Sequence, residues 1–248
     1  MITLYGGGTP NVFKVLIILS EIGEPFEIKT VNVTAEEQFT PEFVALNPNS
    51  KIPVIIDHDA PGGEPLVLAE SGAILFYLAE KSGRFLPGEP VTRARTMQWL
   101  MFQMASVGPM FGQAIHFRHA APPGNEYGSA RYITEVKRIY SLLDQQVGDK
   151  DYVSGNEYTI ADMAIYPWAV NYFGTLGLSP EPYPNLGKWF ERIGRRPAVQ
   201  RVAKVNYEMF KANREHLKHA DSDSMDRFFG RGRYSTADSD PRETPTAR

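Results

Sequence analysis

The sequence of 248 residues contains no cysteine. That absence excludes structural disulfides, thiolate zinc sites, iron–sulfur clusters and any mechanism with a protein thiol as nucleophile. If the chain takes part in thiol chemistry, the thiol belongs to the substrate. A lack of disulfides fits a reducing compartment. Long hydrophobic runs are missing too. The densest, Val15 to Leu19 and Ala73 to Ala79, are far shorter than the roughly 20 residues that span a bilayer. No basic stretch opens the chain, whose first basic residue is Lys14, so the expectation is a cytoplasmic protein without a secretory leader or membrane partner. A net charge of -3 gives no overall attraction to nucleic acid or anionic lipid. His116 and His119 are two histidines without a third ligand, so no metal is expected. Gly6-Gly7-Gly8 lacks the dinucleotide fingerprint and its following acidic residue.

What is present is a soluble globular composition, 42% hydrophobic and 22% charged, in a length suited to one or two domains. Ile2 to Tyr5 reads as a strand closed by glycines. Val12, Val15, Leu16, Leu19 and Ile22 recur at helical spacing, with Gly23 as a stop. Phe26 to Val33 reads as a second strand, and Thr40-Pro41-Glu42 as a helix start. Two short β-like runs, Pro53 to Ile56 and Pro65 to Leu68, flank turn residues. Glu70 to Lys81 reads as a helix. This order predicts a small α/β domain with a mixed sheet over residues 1–82. Residues 83–91 suit a linker, and 92–215 read as an all-helical domain. Within it, Arg93 to His119 reads as one long helix and Tyr127 to Val147 as the next. Thr159-Ile160-Ala161-Asp162 forms a capping box flanked by Tyr158 and Met163. Helices are expected from Asn185 and Pro197. The polar stretch 216–248, including Arg231-Gly232-Arg233, reads as a disordered, solvated tail.

Three segments of the first domain carry chemistry. Thr9-Pro10-Asn11 stands at a loop–helix junction, where Thr9 or Asn11 also suits an ordinary cap. Asn47-Pro48-Asn49-Ser50-Lys51-Ile52-Pro53 leads into a strand. Glu70-Ser71-Gly72-Ala73-Ile74 opens a helix, where acids and hydroxyls are common. Singly none implies a function; their order and separation are specific.

With these segments, the sequence resembles a cytosolic glutathione transferase over roughly residues 1–212, and most strongly the Nu class of glutathione-dependent disulfide-bond oxidoreductases. Gly108-Pro109-Met110-Phe111-Gly112-Gln113 and the His116 to Pro122 segment add to the likeness. The resemblance implies a thioredoxin-like N-terminal domain with a four-stranded mixed sheet, an all-helical C-terminal domain, a homodimer, and glutathione as bound co-substrate. It implies a cis bond before Pro53, which turns the backbone N–H and C=O of Ile52 towards the cysteinyl backbone of glutathione. Ser71 at a helix N-terminus suits the γ-glutamyl carboxylate, Glu70 the γ-glutamyl ammonium, and Lys51 the glycyl carboxylate. Gln38 and Arg131 are further ligand contacts by analogy, Arg131 either within its own subunit or across a dimer.

A free thiol has a pKa of roughly 8.5, and lowering it by about two units takes about 2.7 kcal/mol. One or two hydrogen bonds to the thiolate, about 1.5–3 kcal/mol each, supply that. Asn11 and Thr9 are the expected donors, Asn11 first. Tyr5, at the end of the first strand, is the rival. One departure from the class stands beside them: Val12 occupies a position where glycine is usual. The expected activity is glutathione-dependent reduction of small disulfides. Conjugation of glutathione to electrophiles and non-catalytic glutathione binding are the alternatives.

Overall fold

The computed structural model describes residues 1–235. In chain order the strands are β1 (Ile2–Gly6), β2 (Phe26–Thr30), β3 (Val54–Asp57) and β4 (Leu66–Ala69). The helices of the first domain are α1 (Pro10–Ile22), α2 (Pro41–Leu46) and α3 (Ser71–Ser82). The four strands form one sheet in the order β2-β1-β3-β4. β1 runs parallel to β2 and antiparallel to β3, which runs antiparallel to β4. The mixed-sheet domain expected from the sequence is therefore present.

Every residue from Val12 to Leu19 is buried. A helix apolar on nearly all sides belongs inside a protein, and α1 packs on α3 and, in the helical region, on α7 (Ile160–Asn171) and α10 (Pro197–His219). Thr9 caps its start, with Oγ1 accepting from the N–H of Val12 at 3.3 Å. Gly23 closes it at φ 74°.

The second region comprises α4 (Pro90–Phe102), α5 (Gly108–His119), α6 (Glu126–Gln146), α7 (Ile160–Asn171), α8 (Phe173–Leu176), α9 (Pro184–Gly194), α10 (Pro197–His219) and α11 (Ser222–Phe229). The single long helix expected over 93–119 is interrupted by a π-helical turn, Gln103–Val107. Pro109 has no N–H to donate to a carbonyl one turn back. The ladder slips by one residue, and the Gly108 N–H bonds the Gln103 carbonyl. The capping box is as read: Asp162 accepts from the backbone N–H of Thr159 at 3.1 Å. It also accepts from the Val153 N–H at 2.9 Å and from Trp189 Nε1 at 3.0 Å.

The expected disordered tail is helical in its described part. α10 continues to His219, and α11 follows. Asp221 caps α11 by accepting from the Ser224 N–H at 2.9 Å, and Gly230 ends it at φ 65°. The polar composition misled because α11 buries no residue. Charge pairs and rings hold it instead. Arg227 pairs with Glu36 at 2.6 Å and lies over the Phe39 ring, while Arg231 donates to the Ala120 carbonyl at 2.9 Å. The end of that expected tail, 236–248, lies outside the described residues. Among the described residues, no helix is long and apolar enough to cross a membrane.

Candidate functional site

Three loops converge where the strands end. The first joins β1 to α1. Pro10 takes the first helical position, where a missing N–H costs nothing, and Asn11 follows at the helix N-terminus. Trp168 on α7 donates its indole N–H to Asn11 Oδ1 at 2.9 Å. An indole is only a donor, so this bond fixes which way the amide faces. Oδ1 is occupied, and the two N–H groups of Nδ2 are left for the space outside.

The second loop is Asn47 to Pro53. Asn47 is buried and braces it from within. Its Nδ2 donates to the Lys51 carbonyl at 2.7 Å, and its Oδ1 accepts from the Asn49 N–H at 3.0 Å. The Ile52–Pro53 peptide is cis. Among the described residues, neither the N–H nor the C=O of Ile52 has a backbone partner, so both are open to an extended ligand. Lys51 is exposed at the rim.

The third loop joins β4 to α3. Glu70 has φ 66° and ψ 111°, a conformation that costs a non-glycine residue on the order of 1–3 kcal/mol. It places Ser71 as the first residue of α3 with the helix N-terminus facing outward. Ser71 Oγ accepts from Lys14 Nζ at 3.2 Å. Lys14 is fully buried on α1, three residues after Asn11, and also donates to Gln103 Oε1 at 2.7 Å. Burial pulls its pKa down to about 7, against the opposing pull of the Glu70 carboxylate.

These loops enclose a cleft of about 240 Å³ lined by Asn11, Asn47, Asn49, Lys51, Ile52, Pro53, Glu70 and Ser71. Six of the nine residues singled out in the sequence thus meet there. Thr9 serves as the α1 cap and does not line it. Gln38 is buried and does not line the cleft: Nε2 donates to the Val33 carbonyl at 3.1 Å, and Oε1 has no partner among the described residues. Arg131 is exposed on α6, outside the cleft. Tyr5, the rival to Asn11, packs edge-on against Phe43, and its hydroxyl accepts from Lys29 at 3.5 Å. Val12 is fully buried and fills the space over Gly6, where an added Cβ would lie 2.8 Å from its methyl groups. It leaves the cleft open.

A larger depression, about 410 Å³, lies elsewhere, between the end of α6 and α9. Four of its charged residues pair with one another, Lys150 with Asp149 and Arg192 with Asp151, and it contains none of the motif residues. His119 donates to the Thr175 carbonyl while the His116 ring packs on Phe117 and Phe229.

Lys14, Trp168 and Asn47 were not read as functional from the sequence. The signal for Lys14 was there: one charge inside the apolar run Val12 to Leu19. Trp168 reads as core, and only the fold brings it to a residue 157 positions away.

Comparison with known proteins settles the family. The profile of the glutathione S-transferase N-terminal domain matches residues 1–80, and that of the C-terminal domain matches 109–197. The chain belongs to the glutathione transferase family. Among its relatives is the disulfide-bond oxidoreductase YfcG of Escherichia coli, 45% identical over 80% of this chain and 93% of that protein. A glutathione transferase family member from Pseudomonas fluorescens, solved with two glutathione molecules bound, has a TM-score of 0.77. It is 43% identical over 81% of this chain and 91% of its own. A glutathione transferase from Pseudomonas putida, with one glutathione disulfide bound per subunit, has a TM-score of 0.76. It is 41% identical, with 81% and 89% covered. The family match includes all the cleft residues as well as Trp168, whereas α10 and α11 lie almost wholly beyond it.

Proposed function

We propose that this family member reduces small disulfides with glutathione, using a bound glutathione thiolate and no protein thiol. The observation that carries the reading is the fixed orientation of Asn11, in a chain without cysteine. With Oδ1 held by Trp168, the N–H donors of Nδ2 are left for a ligand in the cleft that Asn11 lines, at the positive end of α1. A hydrogen bond to a charged acceptor is worth about 1.5–3 kcal/mol, and a helix N-terminus adds about 0.3–1 kcal/mol. Their sum matches the roughly 2.7 kcal/mol that lowers a thiol pKa by two units. Thr9, which does not line the cleft, contributes through its cap of α1, holding Asn11 at the helix start.

The ligand assignments follow the cleft. Ile52 pairs with the cysteinyl backbone, Pro53 shapes that edge, Ser71 takes the γ-glutamyl carboxylate, Glu70 the ammonium, and Lys51 the glycyl carboxylate. Gln38 lies outside the cleft, where its Nε2 holds the Val33 carbonyl, so its part is indirect. Arg131 is exposed and does not line the cleft of its own chain, so its part is taken across a homodimer. Chemically, the bound thiolate attacks one sulfur of the disulfide. A new S–S bond forms, the old one breaks, and the leaving thiolate takes up a proton. A second glutathione thiolate then attacks the glutathione sulfur of the mixed disulfide. Oxidised glutathione forms and the second substrate thiol leaves. Two glutathiones are oxidised for each disulfide reduced. The relative solved with two glutathiones and the relative solved with glutathione disulfide support both a two-thiol stage and its product.

The test is turnover of a small disulfide with reduced glutathione, beside an aromatic halide, for wild type, Asn11→Ala and Tyr5→Phe. Disulfide turnover well above the halide rate, lost in Asn11→Ala and kept in Tyr5→Phe, is expected. A faster halide reaction identifies a conjugating enzyme. Binding of glutathione with neither reaction identifies a binding module. A crippled Tyr5→Phe with a competent Asn11→Ala would overturn the assignment of roles. Sedimentation analysis tests the dimer.

A further inference from the structure

The buried ammonium of Lys14 has no place in the mechanism above, yet it stands directly behind the cleft. It crosses from α1 to the first residue of α3 and to the π-helical turn of the helical domain. Its contacts are Ser71 Oγ at 3.2 Å and Gln103 Oε1 at 2.7 Å. Lys14 and Gln103 are both fully buried, and Ser71 nearly so. Removing an ammonium from water is costly unless it has strong partners, and here both hydrogen-bond partners are neutral. The charge near it is Glu70. Burial lowers its pKa to about 7, so the ammonium form lacks an adequate counter-charge here.

We propose that Lys14 is a positioning residue for the γ-glutamyl carboxylate of glutathione, a role that rests on the glutathione reading of this cleft. Two consequences of the geometry support it. First, a hydroxyl has one hydrogen and two lone pairs. Lys14 occupies a lone pair of Ser71, and no acceptor within the described chain takes the hydroxyl hydrogen. That hydrogen is therefore left to donate to an anion in the cleft. Second, a carboxylate seated on Ser71 supplies the negative charge that the buried ammonium lacks, in surroundings where charges are poorly screened. Glu70 alone does not serve both charges, because in this reading it pairs with the ligand ammonium. The contact with Gln103 also ties the start of α3 to the helical domain. The fit there is close: a Cβ on Gly72 would lie 2.9 Å from Met104 Sδ.

The experiment is a cycle between residue and ligand. Dissociation constants are measured by calorimetry for wild type and Lys14→Met, each with S-methylglutathione and with an analogue lacking the γ-glutamyl α-carboxylate. S-methylation removes the thiol proton from the comparison. Wild type is expected to lose about tenfold or more in affinity when the carboxylate is removed, the size of one charge-assisted hydrogen bond. Lys14→Met is expected to bind S-methylglutathione correspondingly weakly and to lose little more without the carboxylate. An equal loss in wild type and variant would overturn the proposal, because a merely structural lysine weakens both ligands alike. If Lys14→Met does not fold, Gln103→Leu, which leaves Ser71 and Lys14 in place but frees the ammonium, is expected to keep the carboxylate discrimination. Loss of discrimination in that variant would count against Lys14 acting through Ser71. Failure of wild type to bind S-methylglutathione at all would refute the glutathione reading itself, and is distinguishable from either result.

Discussion

Replacing Trp168 with Phe tests the orientation of Asn11 without touching the cleft. The ring is retained, and the indole N–H that holds Oδ1 at 2.9 Å is removed. The Asn11 amide can then turn over and offer its oxygen to the thiolate. A hydrogen bond to a charged group is worth about 1.5–3 kcal/mol, and losing half or more of it raises the bound-thiol pKa by about one unit, since one unit corresponds to 1.36 kcal/mol. The thiolate is the reactive form, so the rising limb of the pH profile of kcat/KM moves to higher pH. The expected result is a loss of about tenfold at neutral pH that closes as pH approaches the free-thiol value of roughly 8.5. The assay is disulfide turnover from pH 5.5 to 9.5 for wild type and Trp168→Phe. A superimposable profile refutes the reasoning. An equal loss at every pH also refutes it, because that points to damaged binding rather than a weakened thiolate.

Asp162→Ala strands the donors of Val153, Thr159 and Trp189 in the core. It is expected to cost about 3 kcal/mol or more, read as a fall of about 10 °C in Tm; a fall of under 2 °C would contradict this. Burial raises the Asp162 pKa to about 6. The folded chain therefore protonates it more readily than the unfolded chain does. Its penalty is present in full above pH 6 and shrinks as pH falls towards 4. Asp162→Asn removes this component, so the Tm difference between pH 7 and pH 5 should change relative to wild type; identical pH dependence refutes it. Gly8→Ala drives a Cβ into the Phe210 backbone nitrogen, which forces α10 off the β1–α1 loop. A marked loss of Tm and activity is expected, and a wild-type Tm would show that α10 does not pack there. Truncation after Ala220 removes the Arg227–Glu36 pair and the Arg227–Phe39 contact, worth about 1 kcal/mol each at most. A Tm lower by about 2–6 °C is expected, part of it reproduced by Glu36→Gln; no change would mean that α11 is not docked.

Local chemistry made much of the fold legible. Glycine stops, proline starts and the Thr159–Asp162 box act within a few residues, so they can be read in order along the chain. The two interleaved periods of the first domain likewise separate strands from helices. What escaped depends on distance. The indole of Trp168 and the amide of Asn11 meet through packing of α7 on α1, and no spacing encodes that. Lys14 has the composition of a surface residue but the neighbours of a core residue, and its partners lie 57 and 89 positions away. The segment after residue 216 departs from its composition for a different reason. Hydrophobic content measures how much a segment buries, whereas α11 is held by Arg227 and Arg231 through charge and ring contacts. Tyr5 packs edge-on against Phe43 and is not among the residues that line the cleft; the paired turnover of Tyr5→Phe and Asn11→Ala decides between it and Asn11.

The most direct measurement is the ionisation of glutathione bound to the protein, followed by thiolate ultraviolet absorbance against pH, for wild type and Asn11→Ala. The account expects an apparent thiol pKa about two units below the free value of roughly 8.5 in wild type, and a value close to free in the variant. A bound thiol that titrates near 8.5 in wild type would contradict it.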